Sequence, residues 1–151
     1  LVQDDLVFEI VNASLAKNCP GVIFDGFPRT LAQAEYLLRN YNVIRVYYLE
    51  LSAEDAIARI EARRVCSSCG ENYNILSKKP KQEGICDKCG SQLIQRADDS
   101  GEAIRQRVKE FYAQTFALKE FFANKGLLRE LSARQRIAEI QREIVADLQS
   151  K

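Results

Sequence analysis

From Asp4 to about Lys17 the apolar residues Leu6, Val7, Ile10, Val11 and Leu15 recur at helical spacing and predict one buried helix face. Asp4 and Asp5 suit its start, where free backbone N–H groups favour negative charge. Pro20-Gly21 breaks the pattern, and Val22-Ile23-Phe24 predicts a short buried strand ending at Asp25. The turn Gly26-Phe27-Pro28 leads into a second helical period from Thr30, a plausible N-cap, to about Arg39. Ile44 to Leu51 is rich in β-branched and aromatic residues and predicts a strand. Ser52, followed by Glu54 and Asp55, opens a helix running to about Arg64. Residues 65–95 then abandon periodicity for turns and short strands around Gly70, Pro80, Gly84 and Gly90. Helical spacing resumes after Asp98 and Asp99 with Ile104, Val108, Phe111, Tyr112, Thr115 and Leu118, and Gly126 closes it. Leu127 to Leu131 predicts a third strand, and Ile137, Ile140, Ile144, Val145 and Leu148 a final helix.

Strands alternating with helices predict an α/β fold, a parallel sheet with flanking helices. The alternation divides the chain into a core, residues 1–62 and 97–151, and a small insert, residues 63–96. Only the two cysteine knuckles within that insert repeat.

Composition narrows the chemistry more than the fold. Hydrophobic residues make up 46% and charged residues 28% of the 151, ordinary values for a globular domain. No apolar run approaches a membrane span, since even Ile44 to Leu51 is broken by Arg45 and Glu50. A net charge of +1 gives no reason to expect nucleic acid or an anionic membrane as partner. With no signal-peptide pattern, the expected location is the cytoplasm. The absence of Met suggests that the sequence begins partway through a longer product. The absence of His removes the commonest general base, so any catalysis rests on carboxylates, arginines, cysteines or backbone groups.

Four of the five cysteines form two C-x-x-C-G knuckles, Cys66/Cys69 and Cys86/Cys89, separated by 16 residues. The glycine after each knuckle relieves a tight turn, and two knuckles can set four thiolates around one Zn²⁺. Two disulfides or four free thiols are the alternatives; without secretory features, metal ligation is favoured. Four Cys ligands leave no open position, so the metal is expected to be structural. Cys19, beside Pro20, reads as a small core residue. Lys78, Lys79, Lys81 and Lys88 raise a nucleic-acid reading, but Glu71, Glu83 and Asp87 dilute their charge and only Tyr73 could stack on a base.

Ligands of open α/β sheets sit outside the carboxyl ends of the strands, and Asp25–Thr30 occupies such a place. There Gly26 allows close backbone approach, Pro28 stiffens the turn, and Arg29 offers a planar fork suited to phosphate. Arg59 and Arg63, four apart, are expected to share a helix face; Arg96, Arg105 and Arg107 frame the far end of the insert. Each alone reads as a solvated surface charge. Together they describe a site for a highly charged phosphate substrate, closed by a metal-held flap.

Asp25-Gly26-Phe27-Pro28-Arg29-Thr30 resembles the adenylate kinase signature. Arg63-Arg64-Val65-Cys66 with Cys69, then Cys86-Asp87-Lys88-Cys89 and Gln95-Arg96-Ala97-Asp98-Asp99, resembles the zinc-bearing lid of the long bacterial form. The resemblance runs through essentially the whole chain and implies a P-loop kinase fold that transfers a phosphoryl group from ATP·Mg²⁺ to AMP. It implies that Arg29 grips the AMP phosphate and that the Gln33 amide reads the adenine edge. Leu1, Val2, Gly26, Phe27 and Pro28 would complete AMP binding, Leu1 and Val2 mainly through backbone. Arg59, Arg63, Arg96 and Arg107 would neutralise the phosphates of both nucleotides, and Asp25 would orient Mg²⁺ through water. Asn72, Tyr73 and the Gln135 carbonyl would lie near ATP. For Asp98 and Asp99, helix capping and contacts in a closed lid are both compatible. The implied partners are small nucleotides, met by a monomer.

One departure stands out. The family opens with a glycine-rich loop ending Gly-Lys, and none occurs in these 151 residues. In isolation the chain is therefore expected to turn over poorly, with the three predicted strands flanking a gap. A kinase for another nucleoside monophosphate and a non-catalytic zinc-ribbon scaffold are the competing readings; Gln33 argues against the first.

Overall fold

The computed structural model describes residues 4–15, 21–96, 99 and 101–150. Two compact units emerge, Leu1–Leu49 with Ala113–Lys151, and Glu50–Tyr112. The elements in chain order are α1 (Asp4–Ser14), α2 (Leu31–Asn40), β1 (Val46–Glu50), α3 (Ala53–Glu61), β2 (Arg63–Cys66), β3 (Asn72–Asn74), β4 (Leu93–Ile94), α4 (Gly101–Asn124), β5 (Leu128–Ser132) and α5 (Ile137–Gln149). The mixed α/β class is as the alternation predicted. No helix among the described residues is long and apolar enough to cross a membrane.

In the first unit β1 and β5 form a two-stranded parallel sheet. The Val46 N–H donates to the Leu127 carbonyl at 3.0 Å where the two strands meet. Ala34, Leu118 and Phe122 form the buried core, with Leu38, Val46, Phe121, Leu127 and Leu128 packed against it. Helix α2 starts where Thr30 Oγ1 accepts the Gln33 N–H at 3.2 Å, the expected N-cap.

Residues 22–24, predicted as a buried strand, are not one. The segment has no regular structure, and Ile23 is 90% exposed. Its side chains suit a strand, but a ladder needs a partner, and no described strand pairs with it.

A buried carboxylate fastens α5 to this sheet. Asp147 Oδ2 accepts from Arg45 Nε and from the Tyr47 hydroxyl, each at 2.8 Å, and Oδ1 accepts from Arg129 Nη1 at 3.0 Å. The Tyr47 hydrogen bond does most to hold the Asp147 carboxyl below the usual range; Arg45 and Arg129 add to it against the opposing effect of burial. The folded pKa thus lies below the unfolded value of about 3.9. The pair's contribution is present above that value and lost as pH falls through the folded one. Asp147→Ala should lower the melting temperature by on the order of 10 °C, because three donors lose a buried acceptor. Melting temperature followed below pH 4 should fall more steeply for the wild type than for Asp147→Asn.

The second unit holds a three-stranded antiparallel sheet in the order β3-β2-β4, with Arg64 opposite Tyr73 and Cys66 opposite Leu93. Cys66, Tyr73, Cys86 and Leu93 are its core. Helix α3 is capped by Ser52 Oγ, which accepts the Asp55 N–H at 3.2 Å. It ends at Glu61, with Ala62 as C-cap, earlier than the periodicity suggested.

Candidate functional site

In the first unit the Asp25–Thr30 turn takes the shape its composition implies. Gly26 adopts a positive φ of 73°, a conformation that side-chain-bearing residues rarely take. Arg29 folds back over it, Nε donating to the Gly26 carbonyl at 2.7 Å. The tether fixes the stem of an exposed guanidinium, and Asp25 is exposed beside it. The Phe27–Pro28 peptide is cis, and the Phe27 ring packs 5.5 Å from that of Phe24.

Gln33, on the first turn of α2, is only 7% exposed. Its Oε1 accepts the Arg29 backbone N–H and its Nε2 donates to Asp4 Oδ1, both at 2.7 Å. Gln135, in the same unit, donates from Nε2 to Glu143 Oε1 at 2.7 Å. Leu1, Val2, Cys19 and Asp98 lie outside the described residues.

In the second unit the four cysteine sulfurs gather within 4.8 Å of one another. Cys66 and Cys89 are 3.4 Å apart, Cys69 and Cys86 3.7 Å. Sulfurs bound tetrahedrally at about 2.3 Å would stand about 3.8 Å apart, whereas a disulfide requires about 2.05 Å. No disulfide joins any two of the four. Crowding splits their acidities. Hydrogen bonds from the Ser91 side chain and backbone, then from Cys66, bring Cys89 down to about 6. For Cys69 the Glu71 backbone bond pulls downward, but burial and bonds shared with Cys89, Cys66 and Cys86 push it up to about 12. Four thiolates this close need a cation between them, and the donor set is compatible with a structural zinc. Tyr73 completes this core. Its hydroxyl accepts the Asp87 N–H at 2.8 Å and lies 3.6 Å from Cys86 Sγ.

Arg63 does not lie on the α3 face with Arg59. It is the first residue of β2, because the chain leaves the helix at Ala62 to pair with β3. Even so, Arg59, Arg63, Asn72 and Tyr73 line one groove of about 310 Å³, joined by Asn74 and Lys78. Arg63 is clamped from behind. Its Nε donates to Asp99 Oδ2 at 2.7 Å and its Nη2 to Asp99 Oδ1, a bidentate pair on a fully buried carboxylate. The Arg63 bond chiefly holds the Asp99 carboxyl below its usual range, with Arg96 and Arg107 adding their charge against burial. Arg63, Arg96 and Arg107 thus converge on Asp99, which is buried and ion-paired. Helix α4 begins two residues later, at Gly101.

No sequence pattern signals that Asp4 reaches Gln33 or that Asp99 pairs with Arg63, since both contacts are long-range. Lys78, in sequence one charge among several diluted by acids, places its Nζ 2.6 Å from Glu71 and 5.3 Å from the Tyr73 ring centroid.

Comparison with known proteins decides the family. A profile described as "Adenylate kinase, active site lid" matches residues 63–98. An adenylate kinase of Caldicellulosiruptor saccharolyticus is 40% identical over 98% of this chain and 72% of its own length. This chain belongs to the adenylate kinase family. An adenylate kinase of Thermodesulfovibrio yellowstonii, 40% identical over 100% of this chain and 74% of its own length, agrees. The chain is accordingly a nucleoside monophosphate kinase, a phosphotransferase, and residues 63–98 are its adenylate kinase lid.

Proposed function

We propose that the chain transfers the γ-phosphoryl group of ATP·Mg²⁺ to AMP, giving two ADP, through the residues described above. The observation that carries this reading is the arginine arrangement, Arg63 held by a buried carboxylate beside Arg59 and Arg29 tethered over Gly26. Phosphoryl transfer asks mainly for positioning and charge stabilisation, which fixed guanidinium forks supply without histidine. Arg29 holds the AMP phosphate, with Gly26, Phe27 and Pro28 shaping the turn beneath it and the Leu1 and Val2 backbone completing the pocket. Gln33 reads the adenine edge. Arg59 and Arg63 take the ATP phosphates, with Asn72, Tyr73 and the Gln135 carbonyl near the nucleotide, while Arg96 and Arg107 offset charge on both substrates. Asp25 would orient the water shell of a nucleotide-bound Mg²⁺, which would supply charge neutralisation at the phosphate oxygens. Cys66, Cys69, Cys86 and Cys89 would hold Zn²⁺, whose closed four-thiolate set would organise the lid and leave no position for chemistry.

The same reading has the chain acting as a cytoplasmic monomer on small nucleotides, with neither nucleic acid nor a membrane as partner. A net charge of +1 supports the last of these, since it offers little attraction to a polyanion.

Because these 151 residues contain no glycine-rich loop ending in Gly-Lys, nucleotide affinity is the direct readout of each side chain. Arg29→Ala should weaken AMP binding about 10–100-fold by calorimetric titration and leave ATP binding nearly unchanged, the loss expected for charge-assisted hydrogen bonds. Equal weakening of both nucleotides, or of neither, contradicts the assignment.

A further inference from the structure

Both ends of the Gln33 side chain are held by groups with no ambiguity of their own. A backbone N–H only donates and an ionised carboxylate only accepts. The Arg29 N–H therefore fixes Oε1, and Asp4 Oδ1 fixes Nε2, each at 2.7 Å. Rotating the amide by 180° would set NH₂ against N–H and a carbonyl oxygen against a carboxylate. The frame around the pair is ordered as well. Thr30 Oγ1, which caps α2 through the Gln33 N–H, lies 3.5 Å from the other Asp4 oxygen. Helices α1 and α2 are joined further along by the stacked Phe8 and Tyr36 rings, 3.8 Å between centroids, and by the Tyr36 hydroxyl donating to Asn12 Oδ1 at 2.9 Å.

We propose that Asp4 is a positioning residue that locks the Gln33 amide in one orientation and thereby sets the preference for adenine over guanine monophosphates. The inference rests on the reading of Gln33 as the base reader. With two bonds committed, Gln33 keeps one N–H and one lone pair, in a fixed order. Adenine places its N6–H₂ donor beside a ring-nitrogen acceptor. Guanine places the O6 acceptor where adenine has that donor. An amide free to turn over can serve either order, whereas a locked amide serves one. Selectivity then comes from the cost of setting like groups face to face, as in sites built to hydrogen-bond one substrate edge.

Equilibrium titrations of AMP and GMP against the full chain test this in the wild type, Asp4→Asn, Asp5→Asn and Gln33→Ala. Asparagine at position 4 keeps the size of the side chain but can accept or donate, so only the Arg29 N–H still opposes the turned amide. Asp4→Asn should weaken AMP, strengthen GMP and reduce the AMP/GMP ratio roughly tenfold. Asp5→Asn removes the same charge from the same helix end and should keep the wild-type ratio. A ratio unchanged in Asp4→Asn but lowered in Gln33→Ala overturns the lock and leaves the base reader standing. A ratio unchanged in Gln33→Ala overturns the base-reader assignment and the lock with it. Equal loss in Asp4→Asn and Asp5→Asn overturns the lock in favour of a helix-end effect.

Discussion

Stripping zinc from the loaded chain, or replacing Cys86 with serine, is expected to unfold the three-stranded ribbon while the first unit keeps its structure. Strands of four, three and two residues cannot stand alone. Their core is Cys66, Tyr73, Cys86 and Leu93, so half of it consists of the proposed metal ligands. Structural zinc in small domains contributes about 10–16 kcal/mol of apparent binding energy at neutral pH, more than so small a core can replace. Amide hydrogen exchange resolves the two units. Protection at Cys66, Asn74 and Leu93, whose N–H groups close the ribbon's turns, should collapse after chelation. Protection in α2 should persist. Unchanged exchange after verified metal loss would count against a structural role.

Arg63→Ala should cost both stability and ATP affinity. Its removal takes the bidentate partner from the fully buried Asp99 carboxylate, which keeps the nearby charges of Arg96 and Arg107. A carboxylate left unpaired in the interior is among the costliest single defects, and a fall in melting temperature on the order of 10 °C is expected. ATP affinity should drop about 10–100-fold, because the bidentate pair with Asp99 fixes a guanidinium that lines the groove proposed for the ATP phosphates. Arg63→Lys separates charge from geometry. Lysine restores the charge but not the fork, so it should recover stability only in part and affinity less. Full recovery of ATP binding by lysine would show that the clamp is not needed.

Local chemistry was legible in the sequence. Thr30 and Ser52 cap helices as expected, since a cap is decided by residues three apart. The cysteine knuckles were legible for the same reason; each turn is set by its own C-x-x-C-G. What could not be read was decided by distant partners. Periodicity carries α3 on through Arg63 because Ala62, Arg63 and Arg64 all tolerate a helix, and only pairing with residues 72–74 draws Arg63 and Arg64 into β2. Val22–Phe24 has strand-forming side chains, but side chains do not supply a ladder. Asp99 looked like a helix-end acid, yet its partner stands 36 positions earlier. Gln33 was read from its amide alone, without the aspartate 29 positions away that holds it.

One claim stands above the rest, that these side chains bind the two nucleotides of an adenylate kinase. The most direct measurement displaces a fluorescent AMP analogue from the chain with a bisubstrate dinucleotide, two adenosines joined through a phosphate chain. Displacement is predicted for the wild type, weakened about 10–100-fold by Arg29→Ala and likewise by Arg63→Ala. A dinucleotide that fails to compete, or competes equally well with both variants, would contradict the claim.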